Sequence, residues 1–167
     1  GATYYKVNYT SVDAKGELDT LSGLLVVPDN ANLTYPALVY QHGTSDCKTC
    51  VPSRLGSAEG AEGQIGLLFA GMGFVSILPD LIGMGDGRGF QTYVHASTTM
   101  SATDDMVQAI RTWAAENSVS INEQLFITGY SQGGYSSMVY QEGAQKKYGA
   151  SYVTAATHMS GPYSLSG

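Results

Sequence analysis

Leu125–Gly134, LFITGYSQGG, is a short apolar run that breaks into Gly129-Tyr130-Ser131-Gln132-Gly133 and one more glycine before a helix-like stretch. The pattern G-x-S-x-G between a strand and a helix predicts a sharp turn that presents a serine at the carboxyl end of a sheet. Such a turn forces the serine into crowded φ/ψ, and only small neighbours at 129 and 133 avoid a collision. Ser131 Oγ would stand at a helix N-terminus, where amide dipoles favour a developing negative charge. Ser131 is therefore the candidate nucleophile. The bland alternative is an ordinary glycine-rich turn in a parallel sheet.

Outward from this turn, the chain alternates. Thr3–Asp13 (TYYKVNYTSVD) is rich in Tyr, Val and Thr and reads as a strand. KGE supplies a turn, and Leu18–Pro28 reads as its antiparallel partner. Pro36–Gln41 and Phe74–Pro79 are short apolar runs of the kind a strand buried on both faces requires. Gly63–Gly73 reads as a helix with Ile65, Leu68, Phe69 and Met72 on one face. A second helix starts at Ser101 or Thr103, with Asp104 and Asp105 in its first turn and Val107, Ile110, Trp113 and Ala114 facing inward. Leu125–Thr128, Gly134–Lys147 and Tyr152–Thr157 complete the order as strand, helix, strand. Residues 43–63 form a long polar, glycine-rich connection. Two strands followed by β–α–β–α–β–α–β specify one mostly parallel sheet with helices on both faces.

The acyl-transfer reading needs more than a serine. Tyr40-Gln-His-Gly-Thr44 ends the first parallel strand, where this architecture places half of an oxyanion hole. The backbone N–H groups of Thr44 and Gln132 are the expected donors. His42 and Gly43 are supporting residues, with the ring of His42 read as a brace rather than a base, and Gly129 and Gly133 support the turn. His95, in the loop before the second helix, and Tyr130 are the substrate-side candidates.

At these residues the chain resembles the α/β-hydrolase family, in particular its secreted lipase and esterase branch, with HGT, PDLIGMGDG, YVHAS and GYSQGG in that order from Leu18 onward. The resemblance implies an eight-stranded sheet and a Ser…Asp…His triad acting on carboxylic esters of acyl or short glycosyl-linked substrates. After Ser131, however, the chain holds one carboxylate, Glu142, and one histidine, His158. Glu142 lies about three turns along the helix leaving the serine, carried away at ~1.5 Å per residue, and nothing acidic follows His158. Six strands are read where the resemblance implies eight. Residues 1–167 are thus expected to be the N-terminal portion of one α/β-hydrolase domain, inactive alone, with the catalytic Asp and His beyond residue 167 on the continuing chain or a C-terminal fragment of the same protein. A self-contained variant with His95 or His158 as base is the sharper alternative.

Composition excludes several other classes. A net charge of −6 argues against nucleic acid as a partner. No run approaches the ~18–20 apolar residues of a membrane span, and no charged-then-apolar leader opens the sequence. Asn8-Tyr-Thr and Asn32-Leu-Thr match glycosylation acceptors, a weak signal. Cys47 and Cys50 can form a local disulfide, remain reduced, serve as a redox pair or join a zinc site with His42. The disulfide is preferred and implies a secreted or periplasmic location. The expectation is an esterase or lipase without metal or organic cofactor, acting on a small-molecule, lipid or glycan ester. A peptidase or acyltransferase on the same scaffold and a non-catalytic binding module remain as rivals.

Overall fold

The computed structural model describes residues 1–164. Its elements run β1 (Ala2–Val12), β2 (Leu18–Pro28), β3 (Thr34–Gln41), α1 (Gly63–Gly71), β4 (Val75–Pro79), α2 (Ala96–Glu116), β5 (Ser120–Tyr130), α3 (Gln132–Tyr148) and β6 (Ala155–Met159). They build one six-stranded sheet in the order β1-β2-β4-β3-β5-β6. β4, β3, β5 and β6 are parallel, while β2 runs antiparallel to both β1 and β4. The expected alternation and the antiparallel N-terminal pair are both present.

The sheet is covered on both faces, and the pleat explains the sequence. In β3, Ala37 and Val39 point into a core shared with Met106, Val107 and Ile110 of α2 and Tyr140 and Ala144 of α3. The alternating Leu38 and Tyr40 point the other way, towards Leu24, Val26, Leu78 and Ala70 of α1. Both residue sets must therefore be apolar, which makes β3 a continuous run rather than an alternating one. Each fully buried aliphatic side chain contributes about 1.5–3 kcal/mol. Pro36 falls where the β3–β5 register shifts, between Tyr35 and Ala37, so its missing N–H interrupts no regular ladder.

Several expectations are corrected. α1 does not rest on Ile65, Leu68, Phe69 and Met72 as a set: Leu68 and Met72 are each 64% exposed, Ile65 and Phe69 are partly buried, and the buried residues are Gly63, Gly66 and Ala70. A Cβ at Gly66 would lie 2.9 Å from Leu78 Cδ1 and 3.0 Å from Val26 Cγ2, so the helix presses its backbone onto the sheet. α2 begins at Ala96, which moves Asp104 and Asp105 out of the first turn. Asp104 is instead buried between helices, accepting from Lys147 Nζ at 2.8 Å and Tyr148 Oη at 2.7 Å. β6 occupies 155–159 rather than 152–157, so His158 lies within the strand instead of after it. β5 also starts earlier than read, at Ser120, and the 43–63 connection contains two short 3-10 turns, Pro52–Arg54 and Ala58–Gly60.

Candidate active site

The carboxyl ends of β3, β5 and β6 converge with the start of α3. β5 gives way to Ser131 at φ 58°, ψ −123°, a left-handed-side conformation that a residue with a Cβ adopts only under constraint. Such a residue costs about 1–3 kcal/mol and persists only where its surroundings over-determine it. Here they do. Ser131 N–H donates to Met159 O of β6 at 2.9 Å, and Ser131 O accepts from Gly134 N–H at 2.9 Å. A Cβ at Gly129 would strike Gly133 O, and one at Gly133 would strike Gln41 O and come within 2.8 Å of His42 O. A Cβ at Gly134 would meet Met159 O. The small residues around Ser131 are thus required by main-chain contacts from the ends of β3 and β6 and from the first turn of α3.

Ser131 Oγ makes no hydrogen bond among the described residues. Gln132 N–H opens α3, where the first amides have no intrahelical acceptor, and it finds none elsewhere among the described residues. The side chain of Gln132 is buried, with Oε1 unpartnered. On the facing strand, Gln41 pairs in register with Gly129, which sets His42, Gly43 and Thr44 beside the turn. The Cβ position of Gly43 lies 3.6 Å from Tyr130 O. Thr44 is exposed, its N–H has no acceptor among the described residues, and its Oγ1 lies 3.3 Å from Tyr93 Oη. Ser131, Gln132, Gly43, Thr44 and Tyr130 are therefore brought together at one end of the sheet, with Tyr130 half-exposed there.

The three histidines do other things. His42 is buried, with Nδ1 2.7 Å from Gly43 O and Nε2 3.1 Å from Asp80 O, so its ring bridges two loop carbonyls. His95 is exposed at the N-cap of α2, and its Nδ1 lies 3.0 Å from Thr98 Oγ1. His158 faces α3, with Nδ1 2.8 Å from Ser137 Oγ and Nε2 2.7 Å from Gln141 Oε1. Partial burial holds His158 below the ordinary histidine range. None of the three hydrogen-bonds Ser131.

The acids are engaged as well. Asp80 is buried after β4, accepting from Ser22 Oγ at 2.6 Å and Ser53 N–H at 3.0 Å, and burial pushes its carboxyl up despite those bonds. Asp86 is held low by Lys6 and Asn8, with Arg54 adding to the pairing. Glu142 pairs with Lys146 on the exposed side of α3. Cys47 and Cys50 form a disulfide within the loop after Thr44, and Gly85 N–H donates to Lys48 O at 2.8 Å, tying that loop to the one after β4. Among the described residues no cluster of three His, Cys, Asp or Glu side chains could hold a metal.

Two residues here escaped the sequence reading. Glu62 accepts from Gly43 N–H and Tyr40 Oη across the loop, and Tyr93 touches Thr44. Tyr93 opens the YVHAS stretch but was not singled out within it, and nothing in the local composition of its loop marks Glu62.

The sequence model of the prolyl oligopeptidase family matches residues 64–159, more than half of the chain. Among solved structures, a Legionella pneumophila protein assigned as a hydrolase is 32% identical over 98% of this chain, with a TM-score of 0.89. The rice cell wall degrading esterase LipA from Xanthomonas oryzae is 25% identical over 98% of this chain, with a TM-score of 0.84. Candida antarctica lipase A shares the fold at 15% identity and a TM-score of 0.69. The chain spans 44% of the length of the first two and 38% of the third. A search of curated proteins found no match.

Proposed function

The chain belongs to the prolyl oligopeptidase family, within the α/β-hydrolases, and on that premise we propose that its protein is a serine carboxylesterase. The single observation that carries the proposal is Ser131, held at positive φ by backbone contacts at the junction of β5 and α3, with its Oγ unbonded among the described residues. In the proposed reaction Ser131 Oγ attacks the ester carbonyl while a histidine accepts its proton. The carbonyl oxygen becomes an alkoxide facing the N–H groups of Gln132 and Thr44, each donor worth roughly 3–4 kcal/mol in the transition state. Collapse expels the alcohol and leaves an acyl-serine that water then hydrolyses. The histidine and its orienting acid are assigned to the polypeptide beyond Gly167, because His42, His95 and His158 are each engaged elsewhere. His95 and Tyr130 are assigned to the substrate side.

The ester preference is supported by the esterase at 25% identity, while the family description favours a second reading, a peptidase using the same acyl-serine. The disulfide supports a secreted or periplasmic protein, and no helix among the described residues is long and apolar enough to cross a membrane. The test uses the full-length protein, with turnover of a p-nitrophenyl ester and of the matching p-nitroanilide. Ser131→Ala should abolish ester turnover, and unchanged activity would refute the assignment. Anilide turnover by the wild type that is lost in Ser131→Ala would establish the peptidase reading instead.

A further inference from the structure

Glu62 lies immediately before α1, in a loop, yet its carboxylate contacts the exit of β3. Gly43 N–H donates to both oxygens, at 3.2 Å to Oε1 and 3.1 Å to Oε2, and Tyr40 Oη donates to Oε2 at 3.2 Å. Gly43 and Tyr40 are both buried, so water competes little for these bonds. Burial and the neighbouring carboxylate push the Tyr40 phenol above its usual range, which keeps it a donor.

We propose that Glu62 is a positioning residue for the oxyanion hole, and this rests on the serine hydrolase reading above. Gly43 and Thr44 follow the end of β3 outside any strand, so no ladder fixes the direction of their amides. By capturing Gly43 N–H, Glu62 occupies that amide and fixes the peptide plane that carries it. The next amide, Thr44 N–H, is then the one left facing the substrate carbonyl. Glycine at 43 has the freedom to rotate out of this arrangement, so a restraint is needed there. A bare carboxylate near a developing oxyanion would oppose it, but Glu62 receives hydrogen bonds from two donors and stands at the N-terminus of α1, which disperses its charge. Its contribution is therefore geometric. The neutral isostere, whose amide oxygen can still accept from Gly43 N–H, should retain it.

The test uses the full-length protein and follows three readouts: the rate of fluorophosphonate addition to Ser131, kcat against KM for a p-nitrophenyl ester, and the affinity for a trifluoromethyl ketone that captures the serine as an oxyanion. Losing one oxyanion donor costs roughly 100–1,000-fold in kcat. Loosening one should cost part of that, so E62A is expected to lower labelling rate, kcat and ketone affinity together by roughly 10–100-fold, leaving KM near the wild-type value. E62Q should recover most of the loss. Tyr40→Phe, which removes one donor to the carboxylate but leaves the Gly43 contact, should fall between wild type and E62A and serves if E62A does not fold. Wild-type labelling in E62A with only a lowered melting temperature would overturn the inference, as would raised KM with unchanged kcat. If fluorophosphonate fails to label Ser131 in the wild type, the hydrolase reading falls and this inference falls with it.

Discussion

Gly133 offers the sharpest test of how Ser131 is held. A methyl group there would overlap Gln41 O and approach His42 O within 2.8 Å, and both obstacles are backbone at the end of the central strand β3. No rotamer change can relieve such a clash, so β3 or the start of α3 must move. Overpacking in a rigid site costs about 1–3 kcal/mol, and a backbone-to-backbone collision belongs at or above the upper end. Gly71 provides the internal control. It ends α1 on the surface, a Cβ there meets nothing within 4 Å, and its φ is ordinary. Alanine at 71 should stabilise by about 0.4–1 kcal/mol through reduced freedom of the unfolded chain. Measured by urea unfolding of the full-length protein, Gly133→Ala should lose about 3 kcal/mol or more. Fluorophosphonate labelling of Ser131 should slow in the same variant, because the turn that presents the serine has shifted. If the two variants differ by less than about 0.5 kcal/mol, a typical surface effect, the packing argument for the turn is wrong.

Two further outcomes follow from the same contacts. His158 is held below the ordinary histidine range, so between its unfolded and folded values the unfolded chain binds the extra proton. Its contribution to stability is therefore present above about pH 6.5 and is lost as pH falls below that. In urea midpoints taken from pH 7.5 to 5, His158→Gln should show a shallower decline than the wild type, and parallel curves would contradict this. The Cys47–Cys50 disulfide closes a loop of only four residues, which limits its entropic contribution to about 2 kcal/mol. The double Ser variant should lose no more than that, and a loss above about 4 kcal/mol would mean the bond organises the fold well beyond its own loop.

How much of this was legible in the sequence depended on the range of the interaction. The serine turn was readable because its glycines are demanded by local geometry, and the structure shows the contacts responsible at 129, 133 and 134. The strands buried on both faces were readable because their pleat makes every residue apolar. α1 was misjudged because its packing surface is Gly63, Gly66 and Ala70, and a pattern of large residues cannot reveal an interface made by their absence. The start of α2 was hidden by the polar run at 97–103, which resembles a cap. In the helix those hydroxyls find partners: Thr98 Oγ1 donates to His95 O, Ser101 Oγ donates to Thr98 O, and Thr103 Oγ1 accepts from Gln41 Nε2 at 2.8 Å. Glu62 was invisible for a different reason. Its partners, Tyr40 and Gly43, lie about twenty residues away, and loop composition carries no trace of them.

The division of labour within the site also bears on the two names its relatives carry. In the proposed reaction the described residues serve the nucleophile and the oxyanion: the end of β3 and the residues after it supply 41–44, β5 and α3 supply the turn, and Met159 O of β6 accepts from the Ser131 amide. On the proposed reading these parts act on the acyl carbonyl, which an ester and an amide share. What separates the two substrates is the leaving group, since an amine must be protonated as it departs while an alcohol departs more readily. That demand falls on the histidine and on the walls around it, and among the described residues no histidine is offered to Ser131. A peptidase and an esterase can therefore use the portion seen here without altering a contact in it. Variants at Ser131, Glu62 and Gly133 test acyl transfer as a reaction class, and the ester-to-anilide ratio reports on the histidine side of the site. The variants ask whether the acyl-serine forms, and the ratio, read in the active enzyme, asks which leaving group is released.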